Sequence, residues 1–221
     1  MGKVRKRQVA VAIVCFAMFA ITVFFLLEAM DVFSGEYDKQ MLPVIVYYTI
    51  QTNIFVALWA LYIAVSVLVP RLRAVSGIVS MLVTLYISIT GVVYWAMLVP
   101  MLGFDAKLFS LSNIWMHAVT PTFAIVMFFA FLRGRAIGSA KLSLVVVYPL
   151  LYLGFAYILR ATSGAYVYPF FDPAAMRGGF GVVLALLIIA VLFIGLGAVY
   201  RLGWNKRNKQ LNEVCEQSAN V

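Results

Sequence analysis

Six apolar stretches, each long enough to cross a lipid bilayer as a helix, occupy most of this 221-residue chain. A transmembrane helix needs about 20 apolar residues to span a hydrocarbon core of about 30 Å. The stretches are continuous rather than alternating, which excludes the strands of a transmembrane barrel. With 65% hydrophobic and only 11% charged residues, the sequence leaves no room for a separate soluble domain. We therefore predict an all-α fold, a bundle of six transmembrane helices forming a single domain over residues 1–221. The predicted helices cover about residues 8–30, 44–69, 76–99, 113–132, 142–160 and 179–200.

The distribution of basic residues predicts the orientation of this bundle. Thirteen of the 17 Lys and Arg residues lie in the N-terminal tail, the second and fourth loops and the C-terminal tail. Positively charged loops remain in the cytoplasm, so both termini should be cytoplasmic. The net charge of +9 then reflects topology and attraction to anionic lipid, and we expect no nucleic-acid partner. The loops expected outside the cell are 31–43, 100–112 and 161–178.

The single histidine, His117, lies inside the fourth apolar segment. An imidazole in hydrocarbon is costly unless it is paired or faces a cavity, so it marks either a functional site or a core residue satisfied by a neighbouring helix. Asn113 and His117 are four residues apart and therefore share a helix face. At a rise of 1.5 Å per residue, the imidazole lies about 6–8 Å below the outer surface. Thr49, Thr52 and Asn53 share a face of the second segment, with Thr49 about 8 Å down. The hydroxyl of Thr49 and the imidazole are therefore predicted at one depth.

Further polar residues are expected at the same level, which predicts a polar pocket open to the outer leaflet. Arg160 ends the fifth segment, while Tyr168 and Asp172 lie in the loop before the sixth. An ordinary interpretation also exists for each residue. Thr and Asn in membrane helices commonly make interhelical hydrogen bonds worth about 0.6–2 kcal/mol, tyrosines form interfacial belts, and arginines extend to the headgroups.

A hydroxyl beside an imidazole is a nucleophile and its general base, the pair used in acyl transfer. A third group, amide or carboxylate, can fix the tautomer of the imidazole, and Asn53 or Asn113 could donate to an oxyanion. With one His and no clustered carboxylates or cysteines, we expect no metal ion and no other cofactor.

Three segments together resemble one protein family. They read YYTIQTN at 47–53, NIWMHAVTP at 113–121 and GAYVYPFFD at 164–172. Their order in a six-helix chain resembles the bacterial "predicted six-transmembrane" membrane proteins, which are similar to the eukaryotic androgen-induced protein family, and the resemblance covers nearly the whole chain. It implies a bacterial cytoplasmic (inner) membrane protein related to intramembrane threonine hydrolases, which cleave fatty acid esters of hydroxy fatty acids. By motif position the threonine is Thr49 and the histidine His117, whereas Pro121 lies one position closer to the histidine than in the eukaryotic pattern.

The predicted function is an integral-membrane hydrolase of lipid esters, with Thr49 as nucleophile and His117 as base. The expected partner is a membrane lipid or fatty acyl ester, reached through a groove lined by Phe55, Trp115 and Tyr94. One alternative is a small lipid-binding or transport protein that uses the same pocket without covalent chemistry, and another is a scaffold or assembly factor. The residues expected to bind substrate or support the pair are Thr52, Asn53, Asn113, Arg160, Tyr168 and Asp172.

Overall fold

The computed structural model of the chain describes residues 2–30, 43–69 and 71–219. Within these ranges every regular element is a helix and no strand is present. Six helices of the described residues are long and apolar enough to cross a membrane, which confirms the predicted all-α class and six-helix count. The predicted external loop 31–43 lies, except for residue 43, outside the described residues. The helices are α1 (Gly2–Ala29), α2 (Tyr48–Leu68), α3 (Gly77–Leu102), α4 (Leu111–Phe131), α5 (Ser139–Ser163) and α6 (Gly179–Ala219).

Helix α3 is the central helix of the bundle. It packs against α2, α4 and α6 and against the first turns of α5, while α1 packs along α2 on the outside. Small polar side chains on α3 let its neighbours approach closely and supply hydrogen bonds in the apolar interior. Ser80 accepts from the Trp59 indole of α2 at 3.2 Å, and Ser88 accepts from the Tyr200 hydroxyl of α6 at 2.9 Å.

Prolines account for several departures from regular α-helix. A proline lacks an N–H and crowds the carbonyl four residues before it, so the preceding turn cannot remain a normal α-turn. In α4, the five-residue π-helical turn Trp115–Val119 comes just before Pro121, and in α3 the π turn Tyr94–Leu98 comes just before Pro100. Helix α5 begins as 3₁₀ helix at Ser139–Val146 and becomes α-helical only at Val147, two residues before Pro149.

Helix α6 extends well beyond its predicted end near residue 200. The sequence after Tyr200 is polar and contains helix-forming residues without a proline, so the helix continues to Ala219. The extension is fastened to the loop between α4 and α5. The Trp204 indole donates to the Arg135 carbonyl at 3.0 Å, and the Asn208 amide oxygen accepts from the Gly134 N–H at 3.0 Å. The N-terminus of α1, the end of α4 and this extension meet at one end of the bundle, called here the basic end.

Helices α5 and α6 are close at the basic end and diverge away from it. The 3₁₀ segment Ser139–Val146 packs against α6, whereas the α-helical part Val147–Ser163 makes few contacts with it. A cleft therefore separates the two helices in the half of the bundle that contains Thr49.

Candidate active site

Thr49 and His117 are joined by a hydrogen bond. The Thr49 Oγ1 and His117 Nε2 atoms are 3.2 Å apart, which confirms the proximity predicted from their depths. Thr49 lies in the first turn of α2, and His117 lies in the π turn of α4. The histidine is buried, with only 5% of its surface exposed. Such π turns occur frequently at functional sites, because they redirect a side chain out of the regular helical series.

The backbone fixes the tautomer of His117. Its Nδ1 atom is 2.9 Å from the backbone oxygen of Asn113. A carbonyl oxygen can only accept, so Nδ1 carries the proton and Nε2 is left with a free lone pair. The Thr49 hydroxyl therefore donates to Nε2, which is the arrangement that a general base requires. The tautomer-fixing group expected from sequence was a side-chain amide or carboxylate; the structure supplies a main-chain carbonyl instead.

Helix α3 holds the histidine in place from two sides. The Tyr94 ring stacks on the imidazole with centroids 3.6 Å apart and planes 14° from parallel. The Trp95 indole donates to the His117 carbonyl at 3.0 Å. That carbonyl needs such a donor because Pro121, four residues later, has no N–H to offer it. Gly91 allows this close approach, since a Cβ atom there would lie 2.8 Å from the His117 oxygen.

Asn53 and Thr52 connect helices and are already saturated with hydrogen bonds. The Asn53 amide donates to the backbone oxygens of Thr49 and Met116, and its own oxygen accepts from the Thr120 hydroxyl at 2.8 Å. Neither amide hydrogen is left for an oxyanion, the role that the sequence had predicted for Asn53. The Thr52 hydroxyl is engaged with backbone oxygens of its own helix and with the Thr90 hydroxyl on α3.

The side chains of the other predicted supporting residues have partners outside the pair, with one exception, although the Asn113 main-chain oxygen binds His117. The Asn113 side chain donates to the Lys107 carbonyl, Asp172 accepts from the Ala174 N–H, and the Arg160 guanidinium lies 4.6 Å from the centre of the Tyr166 ring. The exception is Tyr168, whose hydroxyl accepts from the Thr49 N–H at 3.4 Å.

Tyr168 is a neutral hydrogen-bond donor beside Thr49. Burial raises the pKa of its phenol, although hydrogen bonds from Thr49 and Tyr152 act in the opposite direction, so the hydroxyl keeps its proton at neutral pH. Because the Thr49 N–H already donates to this oxygen, the phenolic proton can be directed to another acceptor. The Tyr152 hydroxyl is satisfied, since it donates to the Val46 carbonyl and accepts from the Tyr48 N–H.

A cavity of about 150 Å³ lies beside Thr49 and continues into the cleft between α5 and α6. Apolar side chains from both helices form most of its wall, including Leu150, Leu153, Ile189 and Phe193. The expected lining was wrong, because Phe55, Trp115 and Tyr94 do not form this wall. Phe55 packs on Tyr148, Trp115 turns toward Thr22 on α1, and Tyr94 is stacked on His117.

Tyr48 contributes a second polar group to the cavity wall. Its hydroxyl is buried and has no hydrogen-bond partner among the described residues. Its ring is packed between Tyr148 and Tyr152, with centroids 5.3 Å and 5.0 Å away. A buried hydroxyl without a partner is unfavourable by about 1–3 kcal/mol, so this group is suited to donate to an oxygen of a bound molecule.

Sequence reasoning missed Tyr48, Tyr152, Gly91 and Trp95. Tyrosine and tryptophan near helix ends usually form interfacial belts, so their positions carried no separate signal. The tyrosines at 148 and 152 are spaced i,i+4 on one face of α5, which was the available indication that they pack together. Among the described residues, no three His, Cys, Asp or Glu side chains come together in a group that could hold a metal ion.

Comparisons of the chain with protein-family models, with curated proteins and with solved structures each find no match.

Proposed function

We propose that the protein is an integral-membrane hydrolase of lipid esters, with Thr49 as nucleophile and His117 as general base. One observation carries the proposal. Thr49 Oγ1 is hydrogen-bonded at 3.2 Å to Nε2 of His117, and the other ring nitrogen, Nδ1, donates to the Asn113 carbonyl. An isolated threonine hydroxyl is a poor nucleophile at neutral pH and needs an adjacent base.

In the proposed reaction, Thr49 Oγ1 attacks the acyl carbon of the ester while His117 Nε2 takes the hydroxyl proton. The resulting imidazolium is held by the Nδ1–H bond to the Asn113 carbonyl, whose partial negative charge favours the charged ring. Nε2 then returns the proton to the departing alcohol oxygen, leaving an acyl group on Thr49. A water molecule, deprotonated by the same nitrogen, releases the fatty acid and restores the threonine.

Negative charge develops on the carbonyl oxygen of the ester during both steps. The hydroxyl of Tyr168 is the donor best placed to stabilise that charge, because it lies against Thr49 and keeps a proton to donate. The unpartnered Tyr48 hydroxyl supplies a second donor to the same cavity. Removing an oxyanion donor, the role proposed here for Tyr168, typically costs an acyl-transfer enzyme about 10²–10³ in kcat.

The form of the cavity supports a fatty acyl substrate that arrives from the bilayer. Its wall is almost entirely apolar, and the cleft between α5 and α6 is formed by two helices that are long and apolar enough to cross a membrane. The resemblance of 47–53, 113–121 and 164–172 to the six-transmembrane and androgen-induced families supports the same reaction, with esters of hydroxy fatty acids as the first substrates to test. We further propose a bacterial cytoplasmic membrane location with both termini in the cytoplasm, on the basis of the distribution of basic residues.

The second candidate is a lipid-binding or transport protein that uses the cavity without chemistry. It is favoured by one observation: Thr49 lines the cavity wall, but His117 does not. In that case the Thr49 hydroxyl and the Tyr48 hydroxyl would serve only to hold a lipid oxygen.

Labelling with a fluorophosphonate probe separates the two candidates. We expect covalent modification of the purified, folded protein at Thr49, located by mass spectrometry of the modified peptide. The Thr49→Ala and His117→Ala variants should not be labelled. Thr162→Ala is the matched control, because Thr162 is exposed and bonds only to carbonyls of its own helix. Absence of label at Thr49 in folded protein that still binds fatty acyl esters would reject the hydrolase and favour the second candidate.

A further inference from the structure

A second apolar groove lies between α1 and α4, away from the proposed active site. The two helices are in contact over Leu111–Ile114 and Trp115–Val119 and diverge toward the basic end. The space between them measures about 630 Å³. Its wall consists of apolar side chains from both helices, among them Val11, Val14, Val126 and Phe131. The groove contains neither member of the Thr49–His117 pair.

Three arginines lie near one another at the basic end, and one of them, Arg7, lines the groove. The Arg7 guanidinium lies 5.6 Å from the centre of the Phe131 ring, and Arg133 follows the last turn of α4. Arg207 reaches from α6 and donates to the backbone oxygens of Phe128, Ala130 and Leu132. Arg7 and Arg133 are both close enough to Arg207 to act on it electrostatically.

No acidic side chain balances these three charges within the described part of the protein. The single ion pair found there joins Lys209 to Glu213, and it is exposed and separate from the arginines. Three backbone carbonyls accept hydrogen bonds from Arg207, so this residue mainly fixes the end of α4. Arg7 and Arg133 make no hydrogen bond to another described residue, which leaves their guanidinium groups free for an outside anion.

We propose that this groove binds one anionic phospholipid from the leaflet at the basic end. The phosphate lies between Arg7 and Arg133, and one acyl chain lies along the apolar wall toward Val14 and Val126. Guanidinium groups pair with phosphate through parallel hydrogen bonds, and basic pockets between transmembrane helices bind anionic headgroups. A zwitterionic lipid could fill the apolar wall equally well, but its ammonium group would add a fourth positive charge to the cluster.

The test is lipid retention measured by native mass spectrometry on the purified full chain. The probes are phosphatidylglycerol and phosphatidylcholine with identical acyl chains, offered in equal amounts. We expect one tightly retained lipid per chain and a preference of about tenfold for phosphatidylglycerol, the effect of a charge-assisted phosphate contact. The Arg7→Gln/Arg133→Gln double variant should lose this preference, whereas Val126→Phe, which fills the groove, should reduce retention of both lipids.

The matched control is the Arg71→Gln/Arg73→Gln double variant, which removes the same charge from an exposed loop. If it lowers the preference as much as the Arg7 and Arg133 changes do, the effect is general attraction to positive charge and the site is refuted. Equal retention of the two lipids by the unmodified protein would also overturn the proposal, and this measurement stands even if a variant fails to fold.

Discussion

Gly91→Ala is expected to damage the proposed active site from a neighbouring helix. A Cβ atom at Gly91 would lie 2.8 Å from the His117 carbonyl oxygen and 3.2 Å from Pro121 Cγ. Ordinary carbon–oxygen contacts in helix interfaces are about 3.3–3.6 Å, so α4 must move away by about 0.5–0.8 Å. The 3.2 Å bond between Thr49 and His117 would then exceed the range of a hydrogen bond unless the side chains follow. A displacement of about 1 Å in a catalytic group can lower the rate about 100-fold.

The variant should also be less stable, by about 1–3 kcal/mol, because overpacking strains the interface between α3 and α4. Two measurements check this: hydrolysis of a p-nitrophenyl ester of a long-chain fatty acid, and thermal unfolding in the same detergent. Gly195→Ala in α6 is the matched control, since a Cβ atom there meets no other atom within 4 Å. The control should retain full activity and gain up to about 1 kcal/mol from helix propensity. Unchanged activity and stability in Gly91→Ala would refute the close contact and its role in positioning His117.

Four further outcomes are expected. Thr49→Ala and His117→Ala should each abolish ester cleavage. The double variant should lose little more activity than either single variant, because the pair acts as a unit. A far greater loss of activity in the double variant would show that the two residues have independent roles. Stability of Thr49→Ala should fall by no more than about 1–2 kcal/mol, as measured by thermal unfolding. Activity should decline reversibly as pH falls, because a protonated imidazole cannot accept the threonine proton, and a rate that rises on acidification would contradict a histidine base. Tyr48→Phe should lower kcat/KM about tenfold through loss of one hydrogen bond yet leave the protein equally or more stable, since the removed hydroxyl has no partner among the described residues. An unchanged kcat/KM would exclude Tyr48 from substrate binding.

The sequence predicted helix number and the depth of single residues because the bilayer constrains both. A helix that must span the membrane has a known rise, so the first turns of α2 and α4 could be compared on one axis. This comparison brought Thr49 and His117 together correctly. It required no knowledge of how the helices pack.

Rotation of each helix about its own axis was much harder to predict. Helix α4 is apolar on nearly all faces, so periodicity did not show that Trp115 turns toward α1 while His117 turns inward. The π turn also shifts which residues of α4 share a face. The sequence shows Pro121, which causes this turn, only as a site where the helix could kink. The role of Asn113 was also hidden, because any residue at that position supplies a main-chain carbonyl.

The cavity could not be located from sequence because it depends on the angle between two helices. Leu150 and Leu153 on α5 have the character of ordinary lipid-facing residues, as do Ile189 and Phe193 on α6. They become walls of a cavity only because α5 and α6 diverge beyond Val146.

For the proposed hydrolase, that divergence has a consequence for which esters can react. Lipids in one leaflet keep their polar groups at the surface and their chains toward the midplane, so each ester bond occupies its own level along the membrane normal. A cleft that is closed at the basic end and open in the half containing Thr49 receives molecules in that same orientation. Thr49, the proposed nucleophile, lies in the first turn of α2 and would meet ester bonds at that level, whatever the length of the chain beneath them. The protein would then select esters by the depth of the ester bond in the bilayer, before it recognises their chemical structure.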